Sequence, residues 1–106
     1  MTGGGRGIGR AISERLAAEG ATVAVNYRRD GDAAADTVTA IEDAGGIARA
    51  YAASVDDAEA MASMVEQIDA DLGTVDLLVC NAGIASRGRS VAETDPDELV
   101  RVLHTH

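Results

Sequence analysis

The sequence predicts an α/β protein built on a partial, doubly wound parallel sheet with helices as its crossovers. Three observations carry this reading. Short apolar runs alternate with stretches of helical period along the 106 residues. A glycine-rich turn, Thr2-Gly3-Gly4-Gly5-Arg6-Gly7-Ile8-Gly9, leads straight into the first helical stretch. The most apolar run, Val75 to Cys80, ends in Asn81-Ala82-Gly83. Strands that alternate with helices of this length pair in parallel through right-handed crossovers. Sheets of that kind hold ligands just beyond the carboxyl ends of their strands.

The elements follow in order. Ile8, Ile12 and Leu16 recur at i+4 and mark the inner stripe of a helix that Gly20 ends. Thr22 to Asn26 is a short buried strand. Ala34, Val38 and Ile41 share one face of a second helix, which stops at Gly45-Gly46. Ile47 to Ala53 alternates weakly and reads as a strand. Asp56 is expected to cap a third helix, with Glu59 completing a capping box and Met61, Val65, Ile68 and Leu72 facing inward. Val75 to Cys80 is expected to be a buried strand, with Cys80 a small core residue. The polar stretch from Ile84 to Thr94 is a loop leaving the ligand edge. Asp95, Pro96 and Glu98 open a fourth helix as N-cap, first position and third position. Its inner face is Leu99, Val102, Leu103 and His106, with His104 off that stripe and solvated.

A net charge of −9 makes nucleic acid and anionic membrane poor partners. All nine basic residues are arginines, and Arg6, Arg10, Arg15, Arg28 and Arg29 fall within the first thirty positions. A basic end on an acidic chain suits a small anionic ligand, although solvated helix faces account equally for Arg10 and Arg15. The single cysteine excludes an internal disulfide and suits a reducing compartment. Neither a secretory signal nor a long apolar span is evident, so a soluble, cytoplasmic protein is expected. Nothing in the residues calls for a metal.

The glycine turn is a phosphate cradle in its chemistry. Glycines let the backbone turn tightly and approach a pyrophosphate, and the helix behind them aims its unpaired N–H groups at the anion. The dinucleotide pattern G-x-G-x-x-G fits no register, since its last position falls on Ile8, Arg10 or Ile12. A P-loop also fails: after Gly4 to Gly9, Arg10-Ala11 replaces the Lys and Ser/Thr that hold phosphates and Mg²⁺. A flexible glycine loop without a ligand is the plain alternative.

The opening T-G-x-x-x-G-x-G and the strand-ending N-A-G about seventy residues on together resemble the short-chain dehydrogenase/reductase family. The likeness covers essentially the whole chain and the first half of a family domain. The opening Thr2 to Ile12 looks like that of 3-oxoacyl-acyl-carrier-protein reductases, but sugar, steroid and xenobiotic ketone reductases share it. The resemblance therefore implies a Rossmann fold and hydride transfer between a nicotinamide and a carbonyl or alcohol, with no particular substrate. It also implies a homo-oligomeric parent.

Carried onto this chain, the family pattern makes Gly3, Gly7 and Gly9 the residues of tight turn and close approach, with Ile8 among them. Gly4, Gly5 and Arg6 lie along the adenosine phosphate side. Ser54-Val55 match the pair that contacts adenine, although the family usually has Asp or Asn where Ser54 stands. Asn81, Ala82 and Gly83 line the nicotinamide side. A 2′-OH calls for an acidic acceptor after the second strand of such a domain, and a 2′-phosphate calls for guanidinium. Tyr27 stands at the acidic position, Arg28-Arg29 follow, and Arg6 adds a second basic site, so NADP is expected over NAD. A solvated arginine-rich turn is the other account of that pair.

His106 falls where the family usually carries an Asn that holds a water in a proton relay, and an imidazole can donate, accept and titrate there. The family's Tyr-x-x-x-Lys motif has no match, because Tyr27 and Tyr51 are the only tyrosines and there is no lysine. Met1 stands where the family's central strand ends in Val-Thr-Gly, as a mis-called GTG start would produce. The expectation is thus a truncated NAD(P)-binding Rossmann domain over residues 1–106, with its first strand and C-terminal half missing and no activity alone. A non-enzymatic nucleotide-binding module and an inactive gene fragment are the alternatives.

Overall fold

The computed structural model describes residues 1–85 and 88–106. Among them are four α-helices and two strands: α1 (Gly7–Ala18), β1 (Thr22–Tyr27), α2 (Gly31–Asp43), β2 (Ile47–Ala52), α3 (Ala58–Leu72) and α4 (Pro96–Thr105), with a 3₁₀ turn at Val91–Glu93. Residues 86 and 87, which fall within the expected loop, lie outside the described residues.

β1 and β2 pair in parallel, Thr22 opposite Ile47 through Tyr27 opposite Ala52. Residues 1–4 run along the other edge of β1. The Met1 amine donates to the Ala24 carbonyl at 3.0 Å, Asn26 N–H to Met1 O at 3.0 Å and Gly4 N–H to Asn26 O at 3.0 Å. One residue bonding on both sides of its opposite number is the parallel pattern. On the far side, Thr2 N–H donates to Val79 O at 3.0 Å. Across the layer the order is therefore β2, β1, residues 1–4, then the extended segment 75–80. The chain winds outward through β1 and β2 and returns to the opposite side, and such a reversal is where an open α/β sheet leaves a crevice.

Each face has its own core. Val23 and Val25 of β1 and Ala48 of β2 pack against Ala17 of α1 and Ala34 and Ile41 of α2. The opposite face sets Tyr51 and Ala53 against Met64 and Ile68 of α3. Helices on both faces make the sheet doubly wound, as expected.

Four expectations need correction. In α1 the fully buried positions are Gly9, Ser13 and Ala17; of the i+4 series, Leu16 packs partly buried against the core and Ile8 is 75% exposed. The helix sits so close to the glycine turn that only small residues fit: a Cβ on Gly9 would lie 1.9 Å from Gly3 O. In α3 the cap is Asp57, which accepts from Ala60 N–H at 3.0 Å, while Asp56 bonds to Ser54. The box with Glu59 is not made; Met64 is buried and Val65 is exposed.

Third, Val75 to Cys80 forms no ladder strand, and Val75, Leu77, Leu78 and Cys80 are exposed. An apolar strand is buried by what covers its faces and edges, and among the described residues this one is hydrogen-bonded along the edge that meets Thr2. Fourth, α4 begins with the expected cap, Asp95 accepting from Asp97 N–H at 2.9 Å behind Pro96. Its Leu99 and Leu103 are exposed, however, and Glu98 is the buried residue of the helix. Periodicity there does not translate into burial among the described residues.

Candidate functional site

The carboxyl ends of β1 and β2 and the reversal beside residues 1–4 border a cleft of about 560 Å³. The glycine turn and first residues of α1 form one wall: Gly3, Gly5, Arg6, Gly7, Ile8 and Gly9. Tyr27, Arg28 and Arg29 border it after β1, Ser54 and Val55 after β2, and Asn81, Ala82 and Gly83 at the far end. Of the expected cofactor residues only Gly4 does not line it. Gly4 is buried behind the wall, where a Cβ would meet Ser13 Oγ at 2.9 Å.

The wall is shaped by missing side chains. Gly3 and Gly7 have φ of 60° and 54°, the left-handed region that favours glycine. Gly9 leaves room for Gly3 O and for the Asn81 amide, 2.7 Å from where its Cβ would be. The N–H groups of Gly7, Ile8 and Gly9, at the start of α1, have no partner among the described residues. A helix start carries roughly half a positive charge, so this wall attracts an anion.

Charge reinforces it. Arg10, Arg15 and Arg49 are paired with Glu14, Glu19 and Asp71. The first two pairs match the solvated-face account of Arg10 and Arg15. Arg6, Arg28 and Arg29 border the cleft, are exposed, and have no ion-pair partner among the described residues. Asp30 also borders the cleft, its carboxylate accepting from Ala33 N–H at 3.0 Å as the cap of α2 and making no ion pair with these arginines among the described residues.

At the far end Thr2 and Asn81 hold the turn. Thr2 Oγ1 accepts from the N–H groups of Asn81 and Ala82 at 2.9 and 3.0 Å. Asn81 Nδ2 donates to Thr2 O at 3.1 Å and Gly3 O at 3.3 Å. Those carbonyls can only accept, so the amide faces them and its oxygen is left to accept from a ligand. His106 is exposed, with its ring against Gly83 and Nε2 2.9 Å from Ile84 O. A carbonyl partner puts the proton on Nε2 and leaves Nδ1 as an acceptor. His104 is exposed, as expected.

Ser54 Oγ donates to the Asp56 carboxylate. That bond, helped by the charges of Arg28 and His104, holds the Asp56 carboxyl below the usual carboxylate range.

One functional residue escaped the sequence reading. Asn26, 4% exposed, donates through Nδ2 to Ala53 O at 2.9 Å and accepts from Gly3 N–H at 3.4 Å. It ties the end of β1 to both the glycine turn and the exit of β2. Its signal was a polar residue closing an otherwise apolar strand.

The residues fit a dinucleotide. The unpaired N–H groups and absent Cβ suit a pyrophosphate, the free guanidinium groups suit a further phosphate, and Asn81 suits a hydroxyl donor. Among the described residues no cluster suits a metal ion, and no helix is long and apolar enough to cross a membrane.

Known proteins share this arrangement. The family described as short chain dehydrogenase matches residues 1–106. The short-chain dehydrogenase/reductase homolog YusS of Bacillus subtilis is 49% identical over 84 residues, 79% of this chain and 77% of that protein. Versicolorin reductase stcU of Emericella nidulans is 39% identical over 106 residues, all of this chain and 40% of that protein. A short chain dehydrogenase from Burkholderia cenocepacia, solved in complex with NADP, superposes with a TM-score of 0.89 at 39% identity, over 98% of this chain and 42% of that one. The chain thus spans well under half of the last two proteins. A family match from the first residue to the last, on a fold whose glycine wall and Asn81 turn meet at one cleft, places this chain in the short-chain dehydrogenase family of oxidoreductases.

Proposed function

We propose that residues 1–106 form the nucleotide-binding part of an NADP-dependent oxidoreductase of small carbonyl compounds or alcohols. The observation that carries the choice of NADP is the trio of unpaired guanidinium groups, Arg6, Arg28 and Arg29, with Tyr27 where an NAD-binding site needs a carboxylate. The complex of the Burkholderia relative with NADP supports it. The N–H groups at the start of α1 and the glycine wall hold the pyrophosphate, Arg28 and Arg29 the 2′-phosphate, and Ser54-Val55 the adenine. Asn81 accepts from the nicotinamide-side ribose. The bound dinucleotide supplies or takes up the hydride. His106, with Nδ1 free to accept, orders a water in the proton path. The protein works in the cytoplasm as part of a homo-oligomer.

The test is a calorimetric titration of the 106-residue protein with NADPH and NADH. NADPH binds more tightly, and Arg28→Asp with Arg29→Ala weakens it by at least about twentyfold while NADH changes little. Equal affinities in the parent, or an unchanged ratio in the variant, overturn the assignment. For His106, joining this chain to the C-terminal half of a relative gives a measurable enzyme. There His106→Leu lowers turnover at least about tenfold and His106→Asn keeps most of it, the lower end of what a proton-relay member contributes. Full activity in His106→Leu at every pH makes it a packing residue.

Of the two tyrosines, Tyr27 borders the cleft and Tyr51 is buried with its hydroxyl donating to Asp71 at 3.0 Å.

A further inference from the structure

We propose that Asp56, acting through Ser54, makes the cleft read an amino group on the nucleobase, so that it selects adenine over hypoxanthine. This rests on the dinucleotide reading above and adds the basis of its base selectivity.

A serine hydroxyl has one proton and two lone pairs. In Ser54 that proton is committed to the Asp56 carboxylate. Ser54 borders the cleft, and with its proton turned away it presents only acceptor character there. Beside it, Val55 also borders the cleft, and its N–H has no partner among the described residues. The protein thus offers an acceptor and a donor side by side.

Adenine offers the complement: its 6-amino group donates and its N1 accepts. Hypoxanthine reverses both, with a carbonyl at position 6 and a proton on N1, so acceptor meets acceptor and donor meets donor. The serine alone would not discriminate at position 6, because a free hydroxyl rotates to donate to a carbonyl as readily as it accepts from an amine. The carboxylate removes that freedom. Asp56 is a positioning residue in this account: it lies outside the cleft lining and is not the cap of α3, which is Asp57. A carboxyl of ordinary pKa is ionised near neutral pH, and the bond from Ser54 moves Asp56 further in that direction.

The experiment is a calorimetric comparison of NADPH with its hypoxanthine analogue on the parent, Asp56→Ala, Ser54→Ala and Ser54→Asp. The two ligands carry the same charge, so their affinity ratio cancels the general effect of removing a carboxylate. Circular dichroism checks that each variant keeps its helices. The parent is expected to favour NADPH by at least about tenfold. In Asp56→Ala that ratio falls at least about threefold, chiefly because the analogue binds more tightly once the hydroxyl can donate. Ser54→Ala lowers the ratio as well, whereas Ser54→Asp, an acceptor that needs no partner, preserves it. A parent ratio near one, or a ratio unchanged in Asp56→Ala, overturns the proposal while leaving the cofactor reading standing. Failure of NADPH itself to bind the parent overturns both.

Discussion

Val25 and Leu77 stand in apolar runs of similar composition, and their fates differ completely: Val25 is fully buried and Leu77 is 64% exposed. β1 has β2 on one edge, residues 1–4 on the other, α1 and α2 above one face and α3 above the other. The segment 75–80 has Thr2 along one edge. Hydrophobicity is a property of a residue, and burial is a property of its neighbourhood. The cleft inherits the asymmetry. Its end beside β1 and β2 grows from a paired sheet with a core on each face, and its far end hangs on polar links to Thr2 and Gly3.

The sharpest way to break this comparison is to truncate one residue on each side. Ile41→Ala should cost about 3 kcal/mol in urea unfolding, because Ile41 is 2% exposed within the α2 core. Leu77→Ala should stay within about 0.5 kcal/mol. Equal costs would mean that segment 75–80 is covered in solution. Thr2→Val sharpens the account of the far end. It keeps the shape of a residue only 6% exposed but strips the N–H groups of Asn81 and Ala82 of their acceptor. The cost is about 2 kcal/mol, with faster hydrogen exchange at those two amides. Protection unchanged there would show that the hydroxyl does not hold the turn.

The smallest expected effect lies on the paired side. Burial first, then the bond to Asp71, raises the Tyr51 hydroxyl above its ordinary 10.0. A raised pKa in the folded state gives stability that is complete below the unfolded value and lost as pH climbs through the folded one. Tyr51→Phe should cost at most about 1 kcal/mol at neutral pH, since Asp71 is partly exposed. The difference should shrink as pH rises past the unfolded value, and a constant difference would remove Tyr51 from the alkaline transition.

Much of this was legible beforehand. The order of elements and the cap at Asp95 follow from punctuation: glycines where a turn or close contact excludes a Cβ, Asp-Pro where a helix starts, N-A-G where a run stops. Tyr27, Arg28, Arg29, Ser54 and Val55 were placed at the cleft by the family resemblance. Three things were not legible. The buried face of α1 is Gly9, Ser13 and Ala17, because close packing selects small residues that a search for large apolar ones passes over. The cap of α3 is Asp57 rather than its identical neighbour Asp56, which accepts from Ser54 instead. The bare leucines of α4 and of 75–80 carry the signature of buried residues, and periodicity says which way a side chain points without saying what waits there.

The Thr2 hydroxyl and the Asn81 amide have one more consequence. Asn81 Nδ2 reaches both Thr2 O and Gly3 O, while the Thr2 hydroxyl holds the N–H groups on the opposite strand end. The glycine wall and the far turn are therefore fastened to each other directly, with no intervening layer. Any free energy that a ligand at the wall contributes to ordering the turn is returned equally when a ligand at the turn orders the wall. Any coupling that this fastening carries between ligands at the two ends changes both affinities by the same factor, whichever arrives first.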